Sequence, residues 1–381
     1  MTGDVCVVVP TIREYDSVRA YVANARRHGF DVDRLHVVLV TEDRCDVAGM
    51  RAMLADLGVS GRVFDGRARE RWFRERGLGA YADLIPARSH AQTSFGLCYL
   101  WAGEFEYGVF LDDDTRPLDD VDFFGRHLRN LHHDGEVERR RSDERWVNVL
   151  DDADGSLYPR GYPYAAMGET AERVVAHVDD VAVSQGLWTN VPDLDAVRIL
   201  MDGDLEGQAK TRTTRADFPE AFVVAPGNYL TVCSMNLAFR REVVPAFYQL
   251  PMDDNEWGVG RFDDIWSGVF LKRACDVLGR SVLTGAPLCR HDKAPRSTFD
   301  DLANEVAGLE LNEHLWRFVD DVGGDADSYA GVYAAMADRL AEGDFSAYRN
   351  GAFLNHVGES MRRWLDCLAA VDERTAVPAD H

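Results

Sequence analysis

Lysine is nearly missing from this 381-residue chain: only Lys210, Lys272 and Lys293 stand among 42 basic residues, and the rest are arginine. Positive charge is also short overall, since 65 Asp and Glu leave a formal charge of −23. That balance excludes general binding to a phosphate backbone, so an anionic ligand has to be held by local cations or a metal. Arginine with an acidic excess fits a salt-tolerant surface, although GC-rich codon usage produces the same bias. Cysteines are few, odd in number and scattered over positions 6, 45, 98, 233, 275, 289 and 367 with no CxxC pair. A disulfide framework or zinc site is therefore not expected, and a reducing cytoplasm is. Long apolar runs are absent too. The first, Val5 to Val9, is too short for a signal segment or a membrane span. No internal repeat or low-complexity linker interrupts the chain.

What is present is a rhythm of strands and helices. VCVVVP turns at Pro10-Thr11 into a segment with Val18, Tyr21, Val22 and Ala25 at helical spacing. His36 to Thr41 and the amphipathic Met50 to Leu57 repeat the pattern; Tyr107 to Leu111 reads as a third strand and Trp146 to Leu150 as a fourth, after the charged stretch Glu136 to Arg145. This alternation predicts an α/β fold with a mainly parallel sheet flanked by helices. Ligands of such sheets sit beyond the strands' carboxyl ends, where Thr11, Asp43 and Asp112 to Asp114 fall. The polar stretch Met201 to Asp217 reads as a surface loop that could order over a ligand. Beyond about Pro295, apolar spacing predicts three helices, with Leu302, Val306, Leu309, Leu315 and Val319 on the first.

The sharpest chemical signal is FLDDDTRP, Phe110 to Pro117, where a strand delivers three adjacent carboxylates. Their repulsion is costly unless a divalent cation neutralises it, and Asp112 and Asp114 are expected to point to one side. A solvated acidic turn has the same composition. Asp263-Asp264 opens a helical segment, where capping alone accounts for acids, or where one of them binds sugar hydroxyls or takes a proton. His291 in CRHDKAP is the histidine best placed to complete a manganese site beside two carboxylates, against a plain structural role. YPRGYPYAAMG places Arg160 in a rigid aromatic turn, and SQGLWTNVPDLDA joins Trp188 to Asn190, Asp193 and Asp195 as a possible sugar platform or a buried Trp beside an Asx turn.

FLDDDTRP, RGYPY, GLWTNVPDLD, VCSMNLAFRREVV and RFDDIWSGVFLKRACDVLGRSVLTGAPLCRHDKA occur in that order, and together they resemble the reversibly glycosylated polypeptide family, which includes the plant UDP-arabinopyranose mutases. The matched pieces span about Asp4 to Ala294. The resemblance implies an A-type glycosyltransferase fold over residues 1–295, a nucleotide-sugar substrate, and Mn2+ or Mg2+ on Asp112 and Asp114; the helical region over 296–381 lies outside it, and His291 is expected as a further ligand from its placement. It implies catalytic roles for Arg160, the self-glycosylation position, and for Asp263 and Asp264. Substrate contacts are expected from Pro10, Thr11, Arg13, Asp43, Asp113, Trp188, Asn190, Asn236 and Trp266. One departure stands out: the family's second functional arginine, seven residues after the first, is replaced here by Met167.

The expected activity is metal-dependent UDP-sugar chemistry, as a pyranose/furanose mutase with self-glycosylation. The alternatives are transfer to a separate acceptor, a self-glycosylating scaffold subunit and, more remotely, a phosphohydrolase. No nucleic acid or membrane partner is expected, and a homo-oligomer is.

Overall fold

Five β-branched or small apolar side chains in a row suit a strand covered on both faces. The computed structural model describes residues 3–12, 16–86, 89–153, 157–218, 220–252 and 255–375, and it places this run in β1 (Val5–Pro10), with Val5 to Val9 buried. Chain order continues through α1 (Asp16–Arg27), β2 (Leu35–Val40), α2 (Val47–Asp56), β3 (Ser60–Phe64), α3 (Gly66–Glu75), α4 (Thr93–Ala102) and β4 (Tyr107–Leu111). Then come β5 (Thr115–Pro117), α5 (Phe123–Leu131), β6 (Gly135–Arg141), β7 (Glu172–Val178), β8 (Val181–Gln185), β9 (Leu187–Asn190), α6 (Ala196–Asp202) and β10 (Phe222–Val224). The last part holds β11 (Asn236–Arg240), α7 (Asp263–Val277), β12 (Ser281–Thr284), β13 (Pro287–His291), α8 (Thr298–Val319), α9 (Tyr329–Glu342) and α10 (Ala352–Thr375).

Ten strands form one sheet in the order β3-β2-β1-β4-β11-β8-β12-β10-β6-β7, and β5-β13-β9 form a smaller one. The α/β architecture with helices against a large sheet is as expected. Parallel pairs predominate in the sheet, β12 with β8 and β10 with β6 among them, but antiparallel pairs are mixed in. β3, β2, β1 and β4 run parallel, but β11 is antiparallel to both β4 and β8, as β10 is to β12 and β7 to β6. Parallel neighbours need crossover helices, and the sequence supplies them in regular alternation only through β4.

Two local expectations change. Trp146 to Leu150 is a buried loop whose pairing is an isolated bridge between Trp146 and Tyr229, not a strand. The charged stretch before it contains β6. A strand is tolerated there because Arg140, fully buried, pairs with Glu138 and Asp152 at 2.6 Å each and stacks 3.8 Å over the Phe222 ring.

The three C-terminal helices form as the spacing predicts. α10 packs on α9 and α4, α9 on α7, and α8 on α6 and α7. Leu315 and Val319 are buried on α8, whereas Val306 is exposed. Their apolar side chains belong to the same core cluster as the sheet, so these helices complete the interior around α7. Among the described residues, no helix is long and apolar enough to cross a membrane.

Candidate active site

The carboxyl ends of β1, β2, β4, β9 and β13 meet at a cavity of about 800 Å³, within the usual range for small-molecule sites. Pro10 ends β1 and Thr11 follows it, Glu42 follows β2, Asp112 to Asp114 follow β4, Asp193 lies after β9, and His291 ends β13 with Lys293 just beyond; all of these line the cavity.

Extended strand alternation does not continue through the aspartate triplet. Thr115 donates its N–H and hydroxyl to the Asp112 carbonyl at 3.2 and 2.8 Å, which bends residues 112–115 into a turn. Asp112 and Asp114 therefore address different partners instead of one side. Asp112 faces His90 at 3.6 Å, Asp114 faces His291 at 3.8 Å, and Asp113 accepts from the Thr11 hydroxyl at 2.8 Å. The adjoining 292–294 segment is tied down by the Asp292 N–H donating to the Asp114 carbonyl at 2.8 Å.

Among the described residues, no group of three His, Cys, Asp or Glu is gathered to hold a metal. The donor set nonetheless suits an open site. The Val191 carbonyl accepts from His291 Nδ1 at 2.8 Å, which leaves the Nε2 lone pair of the neutral ring facing Asp114. Mg2+-like ions are held by one or two carboxylates with substrate phosphates completing the shell, and such a site has no closed protein cage.

The RGYP turn delivers Arg160. Gly161 has φ +87°, and a Cβ there would meet Ile265 Cγ2 at 2.2 Å, so only glycine lets the turn lie against the start of α7. Arg160 donates its backbone N–H to the Asp193 carbonyl at 2.9 Å. Its guanidinium gives Nη2 and Nε to Asp193 Oδ2 at 3.0 and 3.2 Å, and Nη1 to Asp264 Oδ1 at 3.3 Å and to the Arg261 carbonyl. Arg261 presents that carbonyl from a left-handed backbone conformation, φ 61°. Burial alone would lower the Arg160 pKa, but attraction from Asp193 and Asp264 overrides it and raises the pKa well above the ordinary value.

The carboxylates around Arg160 are split in acidity. Burial opposes ionisation of Asp193, yet Arg160 and then Lys293 hold it well below the usual range. Burial also opposes ionisation of Asp263, and the His90 charge together with its 2.9 Å hydrogen bond still keeps Asp263 low. Asp264 goes the other way, because burial and repulsion from Asp263 outweigh Arg160. Both carboxylates do more than cap the helix: the Asp263 side chain bonds His90 at 2.9 Å, and Asp264 accepts Arg160 Nη1 besides the first-turn Ile265 N–H at 2.9 Å. His90, between Asp263 and Asp112, is raised well above 6.5, their attraction overcoming the penalty of burial.

A cationic wall faces the acids. Arg261 pairs with Glu305 at 2.7 Å and Asp301 at 3.1 Å, and Arg296 pairs with Asp301 at 2.8 Å, so α8 holds both guanidiniums in place. The Lys293 pKa is lowered by burial and then by repulsion from Arg296 and Arg261, with Asp193 opposing. Crowded cations of this kind are relieved by an anion.

The cavity brings together Pro10, Thr11, Asp112, Asp113, Asp114, Arg160, Asp263, Asp264 and His291 from the sequence-based set. It leaves out the others. Asp43 is half-exposed and turned to Arg67 at 3.7 Å, and Glu42 beside it lines the cavity instead. Trp188 and Trp266 are buried in the core, and neither lines the cavity. Asn190 donates to the His291 carbonyl at 3.0 Å, and buried Asn236 bridges His127 and the Leu187 carbonyl at 2.9 Å each. These amides fasten β9, β11 and β13 rather than a ligand. None of Met201 to Asp217 reaches the cavity. Arg13 lies outside the described residues. His90, Gln92 and Arg261, which also line the cavity, carried no local signal. Lys293 carried a signal, as a rare lysine two residues after His291.

The model of the family described as reversibly glycosylated polypeptide matches residues 75–373. The chain belongs to that family. The match takes in the C-terminal helices, which lie beyond the motifs that carry the resemblance in sequence. UDP-arabinopyranose mutase 3 of Arabidopsis thaliana is 30% identical over 325 residues, 83% of this chain and 77% of its own length. Probable UDP-arabinopyranose mutase 4 of the same plant is 28% identical over 96% of this chain and 90% of its own. Among solved structures, a mannosyltransferase from Pyrobaculum calidifontis in complex with GDP-Man and Mn2+ is 14% identical with a TM-score of 0.38, over 100% of this chain and 89% of its own. A likeness that loose carries no weight for ligand or mechanism.

Proposed function

We propose that the protein is a UDP-sugar mutase that interconverts pyranose and furanose forms and attaches the sugar reversibly to its own Arg160, within an A-type glycosyltransferase fold. The observation that carries this reading is the position of Arg160. Its guanidinium is gripped by Asp193 and Asp264 on the wall of a cavity whose other walls offer cations and an aspartate turn. Family membership and relatives named UDP-arabinopyranose mutase support the substrate class.

Lys293, Arg296 and Arg261 bind the diphosphate and hold its charge as the bond to the anomeric carbon breaks. Asp114 and His291 would hold Mn2+ or Mg2+, which when bound stabilises negative charge on the departing diphosphate, while Asp112 faces His90. Pro10, Thr11 and Glu42 shape the nucleoside end, and Asp113 fixes Thr11. Arg160 and the acids beside it surround the anomeric carbon, where Arg160 captures the oxocarbenium-like sugar; the bond from that carbon to the old ring oxygen then breaks and this oxygen takes up a proton, another hydroxyl gives up its proton and closes the new ring on the same carbon, and UDP displaces Arg160. The seven free cysteines agree with a reducing, cytoplasmic setting.

Incubation with UDP-arabinopyranose and manganese, followed by chromatography of the nucleotide sugars, tests this reading. Accumulation of a furanose UDP-sugar is the expected result. Release of UDP in step with glycosylation of an added acceptor would make the protein a transferase instead. Intact nucleotide sugar, with none bound to the protein, would reject both.

A further inference from the structure

The two acids flanking Arg160 are not equivalent in geometry. Asp193 Oδ2 takes both Nη2 and Nε, at 3.0 and 3.2 Å, in the forked arrangement that fixes a guanidinium plane. Asp264 takes Nη1 alone, at 3.3 Å, and its other contact is the neighbouring Ile265 N–H. Nη1, which also donates to the Arg261 carbonyl, is therefore the nitrogen that can part from its carboxylate without the side chain losing its anchor.

We infer that Asp264 is the general base for self-glycosylation, taking a proton from Nη1 of Arg160 as that nitrogen bonds to the anomeric carbon, while Asp193 anchors the opposite edge of the guanidinium. This inference rests on the self-glycosylating reading above. A protonated guanidinium has no free electron pair to offer, so proton loss has to accompany attack. In the step, the Nη1–H proton passes to Asp264 Oδ1 and the freed pair forms the N–C bond. The bond from carbon to diphosphate oxygen breaks, with its pair leaving on UDP. The glycosylated side chain is again a guanidinium, still paired with Asp193. Reversal needs the same groups: UDP attacks the carbon, neutral guanidine departs, and Asp264 returns the proton.

The surroundings suit the assignment. Of the acids near Arg160, Asp264 has its proton affinity increased, by burial and by Asp263, whereas Asp193 and Asp263 are held in the ionised form. The charged and titratable groups facing Asp264 are Arg160 from the RGYP turn, Asp263 on its own helix, His90, Asp193, and Cys233 from the segment before β11.

The test uses the full-length protein with UDP-arabinopyranose and manganese, reading the pentose adduct on the Arg160 peptide by mass spectrometry and UDP affinity by calorimetry. Asp264→Asn is expected to slow adduct formation by about 10²- to 10⁴-fold, with UDP affinity changed less than about threefold. Asp264→Glu is expected to recover part of the rate. In the wild type, adduct formation should fall on acidification through a carboxylate pKa above the ordinary value, under conditions where UDP binding persists. Labelling of Asp264→Asn at the wild-type rate, or a wild-type rate flat with pH, overturns the assignment and leaves self-glycosylation standing. A wild type that forms no adduct on Arg160 overturns the underlying reading as well. The wild-type pH profile decides the matter should the asparagine variant fail to fold.

Discussion

His291 turns Nε2 toward Asp114 Oδ1 at 3.8 Å because its Nδ1–H is already committed to the Val191 carbonyl at 2.8 Å. That hydrogen bond fixes the proton on Nδ1 and the ring's orientation, so that Nε2 and the carboxylate face each other across a gap that a cation, a proton or a metal ion, would fill.

Asp114→Asn and His291→Ala are accordingly expected to weaken manganese binding by about 10- to 100-fold or more. Thermal unfolding with UDP fixed and manganese titrated measures it, because a ligand bound only to the folded state raises apparent stability by mass action. Manganese titrations in both variants that superimpose on the wild type would remove these residues from the metal site.

Lys293 faces the cavity from among cations and, among the described residues, has no counterion as close as those of Arg261 and Arg296. Truncating a charged hydrogen-bond donor to a diphosphate costs about 1.5–3 kcal/mol, or about 10- to 100-fold in affinity. Lys293→Ala should show that loss for UDP by calorimetry and a much smaller one for uridine. Equal losses for the two ligands would place Lys293 away from the phosphates.

The parts of this site that could be read from sequence are those carried by contiguous segments. Asp112 to Asp114 follow a strand at once, and a run of acids at a strand end is a local fact. The Arg160 turn is local in the same way, through its Gly and Pro. What could not be read is the pairing across the chain: His90 meets Asp263 from 173 residues away and Arg160 meets Asp264 from 104. The aromatic and amide residues misled, because Trp188, Trp266 and Asn236 have the composition of a sugar site. Only packing reveals that they are core. The mixed sheet was hidden for a related reason, since strand direction past β4 depends on which strands become neighbours rather than on local pattern.

Asn236 has a further consequence, for acid stability. Buried His127 lies between Ser184 Oγ and Asn236 Oδ1, each at 2.9 Å, and burial lowers its pKa from 6.5 to about 4 against those hydrogen bonds. Between these two values the unfolded chain binds a proton at this position and the folded chain does not. This contribution is therefore present above pH 6.5 and is lost as pH falls through about 4, on the order of a few kcal/mol at most. Urea midpoints measured from pH 7 down to 4 should decline more steeply in the wild type than in His127→Gln. Parallel declines would mean that His127 does not set the acid sensitivity.

Arg198 answers the absence of an arginine at Met167. It reaches from α6 to lie 5.0 Å from the Tyr158 ring and 5.3 Å from the Tyr164 ring, with Nη2 against the Met167 sulfur. Asp195, which caps α6 by accepting the Arg198 N–H at 3.0 Å, also accepts the Tyr164 hydroxyl at 2.9 Å. The two tyrosines bracket Arg160 in sequence, so this clasp stiffens the turn that carries it. Neither Arg198 nor Met167 lines the cavity. Losing one partly desolvated cation–π contact costs about 1–2 kcal/mol, so Arg198→Ala should slow sugar attachment at Arg160 by about 5- to 30-fold and leave UDP affinity near the wild-type value. Adding Met167→Arg to that variant places a guanidinium beside the same rings from the other strand of the turn, and part of the rate should return. Mass-spectrometric labelling rates for the single and double variants decide the matter, and a wild-type rate in Arg198→Ala would show that the turn holds Arg160 without the clasp.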